Sequence, residues 1–385
     1  MMGLPPLLED SLDILKTPYL VVDPKKAAKN YKRLVQAFSG DVVVYYAVKA
    51  NSHVEILKHL KREGSSFDVA SIGEIMKLIK LGVRPDRMSF GNTIKRIEDI
   101  DTAYTMGIDL FAVDSEMEID KIARVAPRSR VFVRIHTSGL ESDWPLSGKF
   151  GTDVDHAVEL VDWARFRGLK PIGVSFHVGS QNYNPKNWEI AIKDAAKVFI
   201  RAAKEHHIIL DFLNTGGGWP VRHTKPIPSV EEIASVIVES TRKYIGSGVL
   251  IATEPGRYMA GDAGILVSSV VLRSKRLGKD WIYIDAGVFH GLMETIENFR
   301  YEVVVYGKEE FPKKNFTLAG PTCDSVDVIY DEVELPENTT IGDKVLFINA
   351  GAYTVEYGTN FNGIPSPPVY TLEQLKKINE MSETA

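Results

Sequence analysis

Short apolar runs alternate with amphipathic segments along the first two thirds of the chain. Eight of these runs, rich in β-branched and aromatic residues, are typical of strands buried on both faces of a parallel sheet. In chain order they cover residues 42–47, 67–70, 87–91, 110–113, 130–135, 172–177, 209–214 and 249–253. Their regular alternation with helices predicts a (β/α)8 TIM-like barrel. An open doubly wound sheet is the alternative, and it is disfavoured because no early G-x-G-x-x-G follows a strand.

Capping residues mark where predicted helices begin. Asp23 can cap a first helix, and Pro24 suits its first position. A later helix is predicted over 115–126, with Ser115 as its cap. Glu118 stands three residues after Ser115, which is the spacing of a capping box.

The pattern changes after Arg257. Strand-like runs dominate from there, and helix signals return only in the final TLEQLKKINEM. We therefore predict two domains, a (β/α)8 barrel over 24–258 and a β-rich, sandwich-like or barrel-like domain over 259–385. Residues 1–23 are expected to join the second domain.

Composition and charge narrow the function classes. The net charge of -5 argues against nucleic acid or an anionic membrane as the main partner. The single cysteine, Cys323, excludes an intramolecular disulfide, and the amino terminus lacks a signal-peptide pattern, so a cytoplasmic location is expected. No apolar run approaches the roughly 20 residues of a membrane helix. The nine histidines form no cluster with metal-ligand spacing, so no metal is expected.

The carboxyl ends of barrel strands usually carry the catalytic groups. The first strand ends in Lys49, and burial there would lower its pKa toward the neutral amine that forms a Schiff base with an aldehyde. A lysine that extends from the rim into water is an equal alternative. The other strand ends contribute Asp68, Arg134, His177, Gly216, Gly217, Gly218, Glu254 and Arg257.

Three consecutive glycines after the seventh strand suit a phosphate, because their backbone N–H groups are exposed with no Cβ in the way. Barrel enzymes commonly bind phosphate at this place, and Arg257 follows the next strand. A lysine that forms an imine beside a phosphate site points to pyridoxal 5′-phosphate. The ring nitrogen of that cofactor needs an acidic partner, for which Glu254 is suitably placed, although a helix cap or an ion pair would also account for this glutamate.

These motifs occur in the order of one protein family. The chain resembles the fold-type III pyridoxal-phosphate decarboxylases, the ornithine/diaminopimelate/arginine decarboxylase group, from about Thr17 to Tyr370. The resemblance rests on YYAVKAN around Lys49, HVGS at 177–180, GGG at 216–218, EPGR at 254–257, GPTCDSVD at 320–327, GAYT at 351–354 and FNG at 361–363.

The resemblance implies a role for each matching position. Lys49 would hold the cofactor as a Schiff base, His177 would stack on its ring, and Glu254 would pair with the pyridine nitrogen. The phosphate would be held by Ser180, Gly217, Gly218, Arg257 and Tyr353. The set around the lysine and the ring would be Asp68, Glu74 and Arg134.

The resemblance also implies a head-to-tail homodimer with shared active sites. The partner chain would supply Cys323, which protonates the former α-carbon, and Asp324. A small buried hydrophobic role is the alternative for Cys323. The family's interface loop matches Phe361 and Asn362, and its cross-interface ion pair matches Lys149 and Asp327.

The expected substrate is a basic amino acid, since Asp324 beside the proton donor can bind a distal ammonium. The resemblance favours decarboxylation of L-ornithine to putrescine and carbon dioxide, a step of polyamine biosynthesis. Asp285 and Phe361 are the further candidates for substrate binding. Ala286 stands where the ornithine enzymes of higher organisms have an aspartate, so a bifunctional lysine/ornithine decarboxylase is the main alternative.

Three other functions are disfavoured. A diaminopimelate decarboxylase would resemble a Cys-Glu pattern in place of Cys323-Asp324 and would need an arginine for the distal carboxylate. An alanine racemase-like enzyme would need a second base, usually tyrosine, and a glycine-histidine motif. A regulator that has lost cofactor binding would not be expected to retain Lys49, His177 and Glu254 together.

Overall fold

The structure is a computed structural model that describes residues 6–137, 142–144 and 148–383. Its strands are β1 (Tyr19–Val22), β2 (Val43–Ala47), β3 (Ser66–Val69), β4 (Met88–Phe90), β5 (Leu110–Val113), β6 (Arg130–Arg134), β7 (Ser142–Trp144), β8 (Lys170–Ser175), β9 (Ser180–Asn182), β10 (Phe212–Asn214), β11 (Leu250–Thr253), β12 (Gly264–Arg276), β13 (Lys279–Ile284), β14 (Glu302–Val305), β15 (Lys313–Ala319), β16 (Val328–Pro336), β17 (Lys344–Ile348) and β18 (Val369–Thr371). Its α-helices are α1 (Pro6–Ser11), α2 (Pro24–Ala37), α3 (Val54–Glu63), α4 (Ile72–Lys80), α5 (Ile97–Thr105), α6 (Glu116–Val125), α7 (Val154–Phe166), α8 (Lys186–His206), α9 (Val230–Tyr244), α10 (Arg257–Ala260) and α11 (Leu372–Glu383). Within these described ranges, no helix is long and apolar enough to cross a membrane.

The eight apolar runs predicted as barrel strands form a closed barrel. Its strands follow the order β10-β11-β2-β3-β4-β5-β6-β8, and every neighbouring pair is parallel. Alternate side chains form an inner cluster, whose buried members are Tyr45, Leu110, Ala112, Phe132, Phe212 and Ala252. The barrel is therefore a packed core, and its strands direct their carboxyl ends to a common rim.

Helix starts show where local sequence determined structure and where it did not. The Asp23 side chain accepts hydrogen bonds from the backbone of Lys25 and Lys26 and caps α2, as predicted. The capping box predicted for α6 is wrong, because the Ser115 side chain makes no cap bond. Glu118 instead is buried and forms ion pairs with Lys95 at 3.0 Å and Lys121 at 2.6 Å.

The residues after the barrel build a second, mostly antiparallel sheet. Its strand order is β14-β17-β12-β13-β15-β16, and β1 joins it between β12 and β18. β1 pairs antiparallel with β12 and parallel with β18, so the amino-terminal segment belongs structurally to this sheet. Leu8 and Leu12 pack with Leu375 of α11 in a separate small core.

Candidate active site

The carboxyl ends of four barrel strands and one loop of the second sheet surround a single pocket. The strands are β2, β8, β10 and β11. The residues that line the pocket are Ala47, Lys49, His177, Ser180, Gly217, Gly218, Trp219, Glu254, Gly256, Arg257 and Tyr353. The structure therefore brings together eight positions that the sequence singled out, although they are spread over three hundred residues of chain.

Lys49 lies in a short 3-10 turn directly after β2. Its Nζ is 2.8 Å from Oδ2 of Asp68, while 49% of its side-chain surface is exposed. Burial lowers the pKa of Lys49. The Asp68 carboxylate, with smaller contributions from Tyr353 and Glu254, raises this pKa, and together these effects outweigh burial, so the net direction is upward. The expectation that burial would make Lys49 a neutral amine is therefore wrong, since the ion pair stabilises the ammonium.

The His177 imidazole is held in one tautomer. Its Nδ1 accepts the backbone N–H of Gly179 at 3.0 Å, so the proton of the neutral ring lies on Nε2. Burial, followed by the charges of Arg134 and Lys49, lowers the pKa of His177 well below its ordinary value. The ring is thus neutral, and its Nε2 faces Gly217, where a Cβ would lie only 2.7 Å away.

Glu254 follows β11 and is bound by a residue that sequence reasoning missed. Asn214, the last residue of β10, is fully buried and donates from Nδ2 to Oε1 of Glu254 at 2.6 Å. Burial, and then the Asp68 carboxylate, raises the pKa of Glu254 to about 7. The sequence signal for Asn214 was its position at the end of a barrel strand, two residues before the three glycines.

The three glycines form an open backbone cradle. The N–H of Gly216 donates to Oδ1 of Asn214 at 3.0 Å. The N–H groups of Gly217 and Gly218 donate to no acceptor within the part of the chain that the structure describes. Gly218 has a φ of +98°, a conformation that favours glycine, and both Gly217 and Gly218 line the pocket.

Arg257 is buried and lies between a hydroxyl and a carboxylate. Its Nη2 donates to Oγ of Ser180 at 3.1 Å. Its two terminal nitrogens also donate to both oxygens of Glu294, at 2.8 and 2.5 Å. Both members of this ion pair are 4% exposed at the side chain. Sequence reasoning missed Glu294, because no motif or strand end marks its position.

Three further predicted residues surround the pocket at different distances. Tyr353 reaches the barrel rim, where its N–H donates to the carbonyl of Ala50 at 2.8 Å. Glu74 accepts the N–H of Ala70 at 2.7 Å, and burial raises its pKa to about 7. Arg134 lies over the ring of Phe150 at 5.2 Å and does not line the pocket.

Cys323, Asp324 and Phe361 lie together on loops of the second sheet. None of the three lines the pocket that contains Lys49. Cys323 and Phe361 are exposed, and the backbone N–H and Sγ of Cys323 both approach Oδ1 of Asn362. The Phe361 ring packs against Phe289 with centroids 4.6 Å apart. Within one chain, the expected donor therefore does not line the pocket that contains the expected lysine.

The role of Asp285 in substrate binding stays a prediction, and within its own chain both of its carboxylate oxygens have partners. Its Oδ2 accepts the Thr17 hydroxyl at 2.5 Å, and its Oδ1 accepts the backbone N–H of Ser269 at 2.9 Å. Both oxygens therefore bind the amino-terminal segment and β12. This carboxylate is used to attach the first residues to the second sheet.

Asp327 has a structural role within its own chain. It is 3% exposed, and its oxygens accept the backbone N–H groups of Val288 and Thr322 and the Thr322 hydroxyl. Lys149 is exposed, and the ion pair between it and Asp327 across an interface stays a prediction.

Comparison with known proteins identifies the family. The pyridoxal-binding domain of the pyridoxal-dependent decarboxylases matches residues 25–261. The chain belongs to this decarboxylase family. It is a pyridoxal-phosphate-dependent amino-acid decarboxylase with a TIM barrel and a second β domain.

Relatives of this decarboxylase match over nearly its whole length. Lysine/ornithine decarboxylase of Selenomonas ruminantium is 36% identical over 93% of this chain and 90% of the relative. Antizyme inhibitor 2 of Xenopus laevis (33%; 91% and 80%) and ornithine decarboxylase of Rattus norvegicus (32%; 92% and 80%) are also similar. The crystal structure of SrLDC in complex with PLP and cadaverine has a TM-score of 0.88 and 32% identity, and the match covers 100% of this chain and 98% of that one.

The residues of the pocket fit pyridoxal phosphate. The unpaired N–H groups of Gly217 and Gly218 offer donors to a phosphate, and the absence of a Cβ at Gly217 leaves room beside His177. Nε of Arg257 is buried without a partner among the described residues, and the Lys49 amine is accessible at the same pocket. Buried donors without partners are costly in a protein interior, so an anion at this place would satisfy them.

Proposed function

We propose that this decarboxylase converts L-ornithine to putrescine and carbon dioxide at active sites shared between two copies of the chain. The observation that carries the proposal is the convergence of an accessible lysine, a neutral imidazole and an unpaired pair of glycine amides at one barrel rim. These residues suit pyridoxal-phosphate chemistry, which needs a lysine that forms an imine and a site for the phosphate.

Each pocket residue has a defined task in this proposal. Lys49 holds the cofactor through its amine, and Asp68 keeps that amine at the pocket mouth. Ser180, Arg257 and the glycine amides would hold the phosphate, and Glu254 would hold a proton for the pyridine nitrogen. Pyridoxal phosphate, when bound, supplies the electron sink that accepts the charge left by the departing carboxylate. The neutral His177 imidazole would lie beside the bound cofactor without adding a positive charge there.

The second chain supplies the proton donor and the aspartate that binds the distal ammonium of the substrate. Cys323 donates a proton to the former α-carbon after carbon dioxide leaves. Asp324 binds the distal ammonium of the substrate, since its Oδ2 makes no hydrogen bond within the described part of its own chain. The separation of this pair from the Lys49 pocket in one chain supports a shared site in a head-to-tail homodimer.

Lysine is the second candidate substrate, and a specific observation favours it. The Asp285 carboxylate accepts hydrogen bonds from Thr17 and Ser269, and Ala286 carries no charge. Of the positions considered for the distal ammonium, Asp324 therefore remains as the carboxylate. A pocket that binds the distal ammonium with one carboxylate distinguishes lysine from ornithine, which is one methylene shorter, by only about 1–3 kcal/mol. A lysine/ornithine decarboxylase is also among the similar proteins.

Amine formation by the purified, cofactor-loaded protein tests the substrate. L-Ornithine, L-lysine, L-arginine and meso-diaminopimelate are supplied in parallel. Putrescine from ornithine at a clearly higher kcat/KM than cadaverine from lysine is expected. Similar values for the two would establish the bifunctional enzyme, and no amine from any of the four would refute the argument from Asp324.

The role of Cys323 is tested separately with Cys323→Ala. We expect this variant to bind the cofactor normally, as judged by its absorbance, and to lose clean amine release by about 10²–10⁴-fold, as for a missing general acid. Asp331→Ala, a change at an exposed carboxylate of β16, is the control. Unchanged turnover of Cys323→Ala would remove this residue from the mechanism.

A further inference from the structure

Gln181, which follows the HVGS segment, binds the loop after the three glycines through its side chain. Its Nε2 donates to the carbonyl of Val221 at 2.6 Å, and its Oε1 accepts the backbone N–H of Val221 at 3.0 Å. The two residues are 40 positions apart in sequence, so this two-point contact joins β9 to a separate loop. Both residues are buried, with 1% and 5% of their surface exposed.

This contact needs a side chain that both donates and accepts. The backbone N–H of Val221 needs an acceptor and its carbonyl needs a donor, and a side-chain amide offers one of each. The described residues provide no other hydrogen bond to either backbone group of Val221. Because buried backbone groups are costly when they are unpaired, Gln181 fixes the path of the chain at Val221.

The residues on either side of Gln181 bind other parts of the candidate phosphate site. Before it, Oγ of Ser180 accepts a hydrogen bond from Nη2 of Arg257 at 3.1 Å. After it, the N–H of Asn182 donates to the carbonyl of Gly218 at 2.9 Å. Three consecutive residues of β9 therefore connect the arginine, the glycine loop and the chain just after that loop.

The backbone of Gln181 has a conformation that glutamine seldom adopts. Its φ is +58°, in the left-handed region that favours glycine and, among the other residues, asparagine. A strained residue persists where its surroundings outweigh the strain, and such residues are common at binding sites. The two hydrogen bonds to Val221 are contacts of this kind.

We propose that Gln181 is a positioning residue of the phosphate site, and that its amide sets how tightly the phosphate of pyridoxal phosphate is held. The inference rests on the proposed function, in which Ser180 and the amides of Gly217 and Gly218 hold that phosphate. Those two amides stand four and three residues before Val221, so a shift of the loop at Val221 would displace them. Gln181 is not among the residues that line the pocket, and it acts through the loop.

A comparison of two ligands separates the phosphate site from the rest of the pocket. Pyridoxal phosphate, and pyridoxal with a hydroxyl in place of the phosphate, are titrated into full-length protein freed of cofactor, and absorbance reports binding. Gln181→Met keeps the length of the side chain and removes both hydrogen bonds. Gln181→Gly suits the positive φ and leaves room for water at Val221, so it replaces Gln181→Met if that variant does not fold. Gln36→Met, at an exposed glutamine of α2, is the matched control.

We expect Gln181→Met to raise the Kd for pyridoxal phosphate about tenfold, because two buried backbone groups lose their partners. The Kd for pyridoxal should change by less than about twofold, since this ligand does not use the phosphate site. Gln181→Gly should change the two Kd values in the same way, and Gln36→Met should match wild type with both ligands. Ser180→Ala removes a group assigned to the phosphate itself, and it should also weaken the binding of pyridoxal phosphate alone.

The inference fails if the Gln181 variants bind both ligands as wild type does. It also fails if both ligands are weakened to the same extent, since that result means general damage to the pocket. Unchanged binding of pyridoxal phosphate to Ser180→Ala would refute the phosphate assignment of the proposed function, and the inference with it. Weakened binding to Ser180→Ala together with wild-type binding to Gln181→Met would remove only the role of Gln181, so the two failures are distinguishable.

Discussion

At the residue scale, the pocket keeps a carboxylate where water cannot fully solvate it. Burial and the neighbouring Asp68 raise the pKa of Glu254 to about 7 from an ordinary value of 4.5. The folded chain therefore binds this proton more tightly than the unfolded chain. The resulting stabilisation is fully present below about pH 4.5 and is lost as the pH rises through about 7. A protonated glutamate is also the form that can donate to a pyridine nitrogen.

Glu254→Gln should therefore change stability in a pH-dependent way. In protein freed of cofactor, we expect the variant to match wild type near pH 5 and to exceed it by about 1–3 kcal/mol at pH 8, where wild type has to bury the charge. Thermal unfolding across this pH range measures the difference. Glu332→Gln, at an exposed site on β16, should show no such trend. A constant offset for Glu254→Gln at all pH values would contradict the assignment.

The buried pair of Arg257 and Glu294 leads to a second prediction. Glu294→Ala leaves a buried guanidinium without its counter-ion, and we expect it to lower the free energy of unfolding by about 3–5 kcal/mol. Inorganic phosphate should then restore more stability to the variant than to wild type, because it can replace the lost anion. Denaturation in urea with and without phosphate measures both effects.

The chain offers a matched control for this variant. Arg33 and Glu231 also form a two-point pair, through Nε and Nη2 of the arginine at 2.9 Å each, but their side chains are 58% and 53% exposed. Glu231→Ala should cost less than about 1 kcal/mol and should not respond to phosphate. An equal cost for the two variants would mean that burial does not set the strength of the Arg257 pair.

Much of the pocket could be predicted from residues at strand ends. Lys49, His177 and Glu254 stand where barrel enzymes carry their chemistry, so position alone indicated them. Glu294 could not be predicted, because its meaning depends on a contact with Arg257, 37 residues away. The pKa of Lys49 was predicted with the wrong sign for the same reason, since the sequence shows its apolar strand and not its distance to Asp68.

At the scale of elements, helix ends distinguish a real cap from an apparent one. Ser229 begins α9 with a complete capping box, in which its side chain accepts the N–H of Glu232 and the Glu232 side chain accepts the N–H of Ser229. Ser115 stands at the same position of α6 but makes no cap bond. Both begin a Ser-x-x-Glu sequence, so the local pattern cannot separate them. Glu118 forms ion pairs with Lys95 and Lys121 and not a bond to the start of its helix. The contact with Lys95 comes from the tertiary fold and cannot be seen in the local pattern.

Alanine substitution at these two serines should reproduce the difference. Ser229→Ala should lower the free energy of unfolding by about 1 kcal/mol, because it leaves backbone donors of α9 without their partner. Ser115→Ala should change it by less than about 0.5 kcal/mol. Chemical denaturation of both variants provides the measurement, and equal losses would show that Ser115 caps its helix after all.

The barrel strands were predictable because each is buried on both faces and reads as an unbroken apolar run. β2 illustrates this, since four of its five residues are buried. Residues 1–23 were expected to join the second domain, but no local pattern showed which strands Tyr19–Val22 would pair with. Only the pairing partners, more than two hundred residues away, determine where such a short strand belongs.

At the scale of the whole molecule, the separation of Cys323 from the Lys49 pocket predicts complementation between inactive chains. Lys49→Ala and Cys323→Ala each remove one half of the proposed shared site. In a mixed dimer, one of the two sites combines Lys49 from one chain with Cys323 from the other and is intact. We expect random mixing to restore about a quarter of wild-type amine release, since about half of the dimers are mixed and each has one good site.

Refolding the two variants together from denaturant, followed by the amine assay, measures this recovery. Each variant refolded alone is the control for residual activity. Absence of recovery in mixtures that contain dimers by light scattering would place lysine and cysteine of the same chain in one site, and the shared-site proposal would fall.

The position of β1 has a consequence for how the protein is made. Synthesis delivers Tyr19–Val22 before the barrel strands, but its partners Gly264–Arg276 and Val369–Thr371 emerge only after them. The barrel strands mostly pair with near neighbours in sequence, so they can close first. Cys323 and Asn362 lie between those two late strands. A chain released by the ribosome before residue 323 would therefore contain the glycine cradle and lack the proposed proton donor.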